Sequence, residues 1–130
     1  MVEVSCALIL DLGRVLITQR SADMPHPGLW EFPGGKWKDG EDATACIIRE
    51  IREELNLEVR VDRVLEAVEH RYPGHAVRLH PCVCRIVSGR LNLTEHRNAR
   101  WVGASDLEGV DWLEADVEVA RKVPGLLNPA

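Results

Sequence analysis

Residues 35–57 read GKWKDGEDATACIIREIREELNL, and they decide the fold. Ala43, Ile47, Ile51 and Leu55 recur every four residues, which predicts a helix with one apolar stripe for a core. Cys46 and Ile48 widen that stripe. Glu50, Glu53 and Glu54 stand at i, i+3 and i+4, so a helix gathers three carboxylates on one face. Like charges this close repel unless a cation sits among them. The sequence places a glycine-bearing turn, Gly34-Gly35, just upstream. An acidic helix face beside such a turn points to a divalent metal site rather than an ordinary solvated surface.

The helix is expected to begin at Asp39 or Glu41, where acidic residues suit the helix dipole. It is expected to stop at Asn56, because asparagine tolerates the left-handed conformation that closes helices. Upstream, Val4 to Leu10 and Val15 to Thr18 read as strands of a hairpin around Asp11-Leu12-Gly13-Arg14. Ser21 to Gly28 is a loop, and Leu29 to Phe32 a short extended segment ending at Pro33. Downstream, Glu58 to Glu69 reads as one long strand, followed by a turn at Tyr72-Pro73-Gly74-His75. Val77 to Val87 and Arg100 to Val102 read as further strands. Asp106 starts a minor helical turn, and Ala115 to Val123 reads as a second helix closed by Pro124-Gly125. Strands interleaved with helices give an α/β class, with a mixed sheet between helices as an α/β/α sandwich.

The chain has 130 residues, which suits one domain, 1–130, large enough for a core. No apolar run approaches the ~20 residues of a membrane span, so no membrane partner is expected. MVEVSCALIL lacks a basic leader and puts Glu3 and Ser5 among apolar residues, so it reads as a first strand rather than a signal peptide. Cys6, Cys46, Cys82 and Cys84 show no paired metal spacing and read as buried thiols, which suits a reducing cytoplasm. The net charge of −5 argues against a nonspecific grip on long nucleic acid. A small polyanion is still admissible if cations and local arginines hold it. Trp30, Trp37, Trp101 and Trp112 read as packing residues. None of the five histidines shows ligand spacing.

Gly35, Glu41 and the run Arg49-Glu50-Ile51-x-Glu53-Glu54-x-Asn56-Leu57 resemble the Nudix box, G-x5-E-x7-R-E-U-x-E-E-x-G-U with U a bulky aliphatic. Each fixed position matches except the last glycine, which is Asn56 here. The run Leu29-Trp30-Glu31-Phe32-Pro33-Gly34-Gly35-Lys36 is similar to the LxEFPGGK segment of the MutT branch of that family. Thr18-Gln19-Arg20 is similar to its T-x-R segment. Glu95 falls where that branch carries an additional loop glutamate, and Asp116 where it carries an Asn or Asp that reads the base.

The resemblance implies an enzyme that splits a nucleoside triphosphate into a nucleoside monophosphate and pyrophosphate by attack of water on phosphorus. Mg²⁺, with Mn²⁺ able to replace it, would be held by Glu50, Glu53, Glu54 and the Gly34 carbonyl. Phosphoryl transfer needs positioning and charge neutralisation, which a hard, oxygen-seeking cation supplies. Glu53 is the first candidate to accept a proton from the attacking water. Glu95 is the second, as base or as ligand of another metal. Arg49 would orient Glu53 or Glu41, and Gly35, Glu41 and Asn56 would support the site. Arg20, Lys36 and Arg78 are candidates for phosphate or base contacts, and Phe32 for touching the base.

Asp116 either caps the last helix or reads the base. An ionised aspartate only accepts hydrogen bonds, which suits guanine-type bases with their N1–H and 2-amino groups, or the 4-amino group of cytosine. The MutT-like segments favour oxidised guanine nucleotides such as 8-oxo-dGTP, and hence nucleotide pool sanitation in support of DNA repair. A sister branch acts on cytidine-type nucleotides. A non-catalytic nucleotide sensor, or a protein-interaction role, would not need the intact glutamates.

Overall fold

The computed structural model describes residues 1–127. Strand β1 (Val2–Asp11) and strand β7 (His75–Gly89) form its spine. They run parallel, with Val2 opposite Val77 and Ile9 opposite Cys84. Strand β2 (Arg14–Gln19) returns antiparallel from β1 through a hairpin and carries β3 (Trp30–Glu31) and β8 (Asn98–Val102). Strands β5 (Leu57–Val64) and β6 (Val68–Tyr72) both pair antiparallel with β7. The sheet is therefore mixed, ordered β3-β2-β1-β7-β5 along its main path.

Both faces of this sheet are covered, which explains why Ser5 to Leu10 is buried without a break. Ala7, Ile9, Leu16, Cys82 and Cys84 face helix α1 (Ala43–Leu55) and meet Ala43, Ile47, Ile51 and Leu55. Cys6, Leu8, Leu10, Val15 and Ile17 face the other way. They are covered by the 3-10 turn Ala104–Gly109 and by α2 (Val117–Ala120), through Leu107, Val119 and Ala120. This is the expected α/β/α sandwich. Each fully buried Ile or Leu contributes about 1.5–3 kcal/mol of transfer free energy, so these two clusters hold the layers together. The four tryptophans pack against them, Trp30 and Trp112 on one face and Trp37 and Trp101 on the other.

Several boundaries differ from expectation. Helix α1 begins later than Asp39 or Glu41. Asp42 is the cap residue, and its carboxylate accepts the Ala45 N–H at 2.8 Å. Glu41 instead takes the Lys38 N–H and the Arg49 guanidinium. Gly34-Gly35 is not a free turn but the start of strand β4 (Gly34–Lys36), paired antiparallel with β1. The long strand expected over Glu58 to Glu69 is two strands, with Leu65-Glu66-Ala67 between them. The second helix is shorter than Ala115 to Val123. A 3-10 turn, Glu114–Asp116, precedes α2, and Pro124 opens a further helical turn, α3 (Pro124–Leu127), instead of closing one.

Asn56 ends α1 as expected, in the left-handed conformation at φ 59°. Its N–H reaches the Arg52 carbonyl, and its side-chain amide donates to the Arg90 carbonyl at 3.1 Å. Asn56→Val should therefore destabilise the protein by about 1–2 kcal/mol or more, since a β-branched residue resists that conformation. Asn56→Gly should stay close to wild type. Urea unfolding of both variants checks this, and a Val variant as stable as the Gly variant would contradict the conformational argument.

Candidate active site

The site begins where β4 lies between β1 and α1. A Cβ on Gly34 would sit 2.0 Å from the Ser5 carbonyl oxygen, so no side chain fits there. A Cβ on Gly35 would sit 2.5 Å from the Glu50 carboxylate carbon. The two glycines thus let the strand touch β1 on one side and the helix carboxylates on the other. Trp37 Nε1 donates to Ser5 Oγ at 2.9 Å, and Ser5 Oγ donates to the Ala43 carbonyl at 3.0 Å, tying the end of β4 to the start of α1.

Arg49 organises the acidic face. Its guanidinium makes a two-pronged contact with Glu41 at 2.7 and 2.9 Å. It also reaches Glu50 at 2.8 Å, Glu53 at 3.2 Å and the Lys36 carbonyl at 3.2 Å. Hydrogen bonds from Arg49, then from the Lys38 N–H, hold the Glu41 carboxyl far down, at about 2. The same contacts, Glu41 first, raise the Arg49 pKa, so Arg49 stays charged. Both orientations expected for Arg49, toward Glu53 and toward Glu41, occur together.

Glu54 stands apart from this cation. It is 6% exposed, and its Oε2 is buried with no hydrogen-bond partner among the described residues. Burial first, then the neighbouring Glu50 carboxylate, pushes its pKa up to about 9. A buried carboxyl beside another carboxylate lacks a counter-charge. Hard oxygen donors with an orphaned buried oxygen fit a divalent cation such as Mg²⁺. The fit is incomplete as the side chains stand. Glu53 is half exposed and turned to Arg49. Among the described residues, no three His, Cys, Asp or Glu side chains are gathered closely enough to hold an ion.

Glu50 and Glu54 line a cavity of about 620 Å³. The candidates Arg20, Phe32, Gly34, Gly35, Lys36, Glu95 and Asp116 line it too. Glu53, Glu41, Arg49 and Asn56 do not, and the first three form the ion-paired flank beside it. Arg78 is not brought to the cavity either. It pairs with Glu3 at 3.2 Å and Glu69 at 3.3 Å on the sheet. Arg20 lines the wall but is engaged, donating to Glu31 at 2.7 Å and to the Pro25 carbonyl at 2.6 Å. Phe32 is 3% exposed and packs on Trp112 with ring centroids 4.8 Å apart, so most of its surface serves the core.

Asp116 does not cap α2, since its carboxylate makes no capping hydrogen bond. Its Oδ2 accepts the Phe32 N–H at 2.7 Å, and both residues line the cavity. Burial raises its pKa to about 8, against the opposing pull of the Phe32 N–H. Burial therefore favours the protonated form of Asp116, which can donate as well as accept, over the ionised, accept-only form.

Sequence reasoning missed three lining or supporting residues. Glu31 and Tyr72 line the cavity, and His96 is buried behind Glu31 at 2.8 Å. Glu31 lay inside the quoted LxEFPGGK run. Tyr72 was read as part of a turn, and His96 carried no signal beyond its place next to Glu95.

The family model described as NUDIX domain matches residues 1–123. A CTP pyrophosphohydrolase of Escherichia coli K12 is 32% identical, with 90% of this chain and 87% of that protein covered. A putative 8-oxo-dGTP diphosphatase 2 of Mycobacterium tuberculosis is 36% identical, over 85% of this chain and 82% of that one. The solution structure of the E. coli ORF135 protein superposes with a TM-score of 0.84 at 30% identity, covering all of this chain and 94% of that one. Among the described residues, no helix is long and apolar enough to cross a membrane.

A carboxyl whose pKa is raised in the fold, about 8 against 3.8, contributes stability below pH ~4 and loses it as pH rises through 8. Asp116→Asn cannot ionise yet keeps an oxygen for the Phe32 N–H. Between pH 5 and pH 9 it should lose less stability than wild type, by up to about 4 kcal/mol, three pH units at about 1.4 kcal/mol each. Urea titrations of both proteins in a chelator measure this. Equal pH slopes would contradict a buried, neutral Asp116.

Proposed function

The chain belongs to the NUDIX family, and on that premise we propose that it is a divalent-metal-dependent nucleoside triphosphate pyrophosphohydrolase acting on oxidised dGTP. The observation that carries this reading is one cavity lined by two unlike sets of groups: Glu50 and Glu54, and the buried Asp116 carboxyl that takes the Phe32 N–H. The first suits a cation and the phosphates it accompanies, the second a nucleobase edge.

A bound divalent cation supplies neutralisation of the triphosphate charge and acidifies the water that attacks phosphorus. Glu50 and Glu54 would hold it, with Glu53 and the Gly34 carbonyl completing the set. Lys36 is exposed and its neighbour Lys38 also lines the cavity, so both can follow the phosphates. Glu53 is half exposed, and among the described residues its carboxylate pairs only with Arg49, which leaves it able to swing and accept a proton. Glu95, which lines the cavity from the segment tied to the end of α1, is the second group able to do so. The products are the nucleoside monophosphate and pyrophosphate.

Base choice rests on Asp116. A protonated carboxyl can donate to the guanine O6, and an ionised one can accept from N1–H. A cavity of about 620 Å³ also has room for a purine. Cytidine triphosphate is the second reading, because the same protonated carboxyl can donate to cytosine N3 and the relative named for CTP covers most of this chain. The oxidised-nucleotide reading places the protein in pool sanitation, upstream of DNA repair. Four buried free thiols suit the reducing cytoplasm where that pool lies.

The deciding measurement is kcat/KM for 8-oxo-dGTP, dGTP, CTP, dCTP and 5-methyl-dCTP at one Mg²⁺ concentration, read as pyrophosphate released. The expected order has 8-oxo-dGTP first. A cytidine nucleotide in first place transfers the assignment, and no turnover on any of them leaves a nucleotide-binding sensor. In the same assay Asp116→Ala should raise KM by about tenfold to a hundredfold, the cost of leaving a buried base edge without its hydrogen-bond partner. It should also flatten the substrate ranking without altering metal dependence. An unchanged ranking would remove Asp116 from base reading.

A further inference from the structure

Glu95 lies in the segment between β7 and β8, yet both of its neighbours are anchored. On one side, the Thr94 N–H donates to the Glu54 carbonyl at 3.1 Å. Thr94 Oγ1 reaches the Glu53 and Glu54 carbonyls at 3.0 and 3.2 Å. These are carbonyls of the last turn of α1, which a helix leaves without internal partners. On the other side, the His96 side chain is 1% exposed, and its Nε2 lies 2.8 Å from Glu31 Oε2. The next N–H, of Arg97, is held by the Gln19 carbonyl at 2.9 Å. Glu95 itself is exposed and faces the cavity.

We propose that Thr94 and His96 form a two-point clasp that holds Glu95 at the cavity rim, with His96 as a positioning residue acting through Glu31. The carboxylate can only accept, so the imidazole carries its proton on Nε2. Its Nδ1 is then buried with no partner among the described residues. Burying an unpaired polar atom costs free energy. An apolar side chain would fill the same space without that cost, so packing alone does not account for the histidine. Glu31 has its other oxygen on Arg20 at 2.7 Å. The same carboxylate therefore fixes both the Arg20 guanidinium and the Glu95 segment.

The role of Glu95 rests on the hydrolase reading above, whereas the clasp itself does not. The test compares His96→Ala, His96→Gln, Glu95→Gln and the double variant His96→Ala/Glu95→Gln in the full chain, with the best nucleotide found in the panel. His96→Ala should lower kcat about tenfold, the scale of a lost charge-assisted hydrogen bond, while KM changes by less than about threefold. Glutamine can place an N–H where Nε2 was, so His96→Gln should restore most of kcat. The double variant should be no slower than Glu95→Gln alone, because a misplaced Glu95 and an absent one cost the same.

Additive losses in the double variant, a wild-type kcat in His96→Ala, or full activity of Glu95→Gln would each overturn the proposal. Amide hydrogen exchange supplies a readout apart from turnover. Protection over residues 94–97 should fall in His96→Ala and return in His96→Gln, with the rest of the sheet unchanged. Unaltered protection would also overturn it. If the wild-type protein hydrolyses no nucleotide, the hydrolase reading fails and the exchange result alone decides the clasp.

Discussion

The absence of two Cβ atoms, at Gly34 and Gly35, sets the geometry on which the site depends. β4 has to pass between the Ser5 carbonyl of β1 and the Glu50 carboxylate of α1, and neither gap has room for a methyl group. Were either glycine an alanine, the strand or the carboxylate would have to move by an ångström or more. A displaced strand would carry Lys36 and Phe32 with it, and Phe32 supplies the N–H that holds Asp116. The close approach therefore bears on both the Glu50 and the Asp116 groups that line the cavity.

That approach brings an electrostatic burden. Glu50 and Glu54 share a face with little water, and Arg49 compensates one flank only. It is fully committed to Glu41, Glu50, Glu53 and a backbone carbonyl, so it has no donor left for Glu54. The result is one carboxyl held neutral up to about 9 by burial and by its neighbour. The strain is supported by parts of the fold that take no part in the chemistry: the Ile47, Ile51 and Leu55 stripe against β1 and β7 on one face, and the Leu8, Ile17 and Val119 cluster on the other. Stability is spent at the acidic face and supplied by the two cores.

How much of this could be read from the residues follows from the range of the forces involved. The body and end of α1 were legible, because a stripe at Ala43, Ile47, Ile51 and Leu55 and an asparagine at the stop are local signals. Its start was not, because Glu41 looked like a first-turn acid while its real partners were the Lys38 N–H and Arg49. The break between β5 and β6 was invisible, since it depends on where each segment meets the long β7. Gly34-Gly35 announced a special backbone but not a strand. Asp116 could be picked out only through likeness to a family. Its protonation depends on burial by the whole fold, and its hydrogen-bond partner, the Phe32 N–H, lies 84 residues away in sequence. His96 and Glu31 meet across 65 residues, and no periodicity or spacing records such a contact.

The charges facing the cavity impose one further constraint. Glu31, Glu50, Glu54, Glu95 and Asp116 line it, against Arg20, Lys36 and Lys38. Arg20 is matched by Glu31, which leaves two lysines to meet a polyanion at a wall still rich in carboxyl groups. A triphosphate entering alone would meet repulsion from Glu50 and Glu95. A cation entering alone would have to displace the proton of a carboxyl that holds it up to about 9. Each relieves the obstacle to the other, the cation by neutralising the wall and the phosphates by adding oxygen donors. Binding of the two must then be linked, and linkage is reciprocal: whatever factor the cation adds to nucleotide affinity, the nucleotide adds to cation affinity. On the proposed reading, the buried and unpaired Glu54 carboxyl couples the arrival of the cation to that of the substrate.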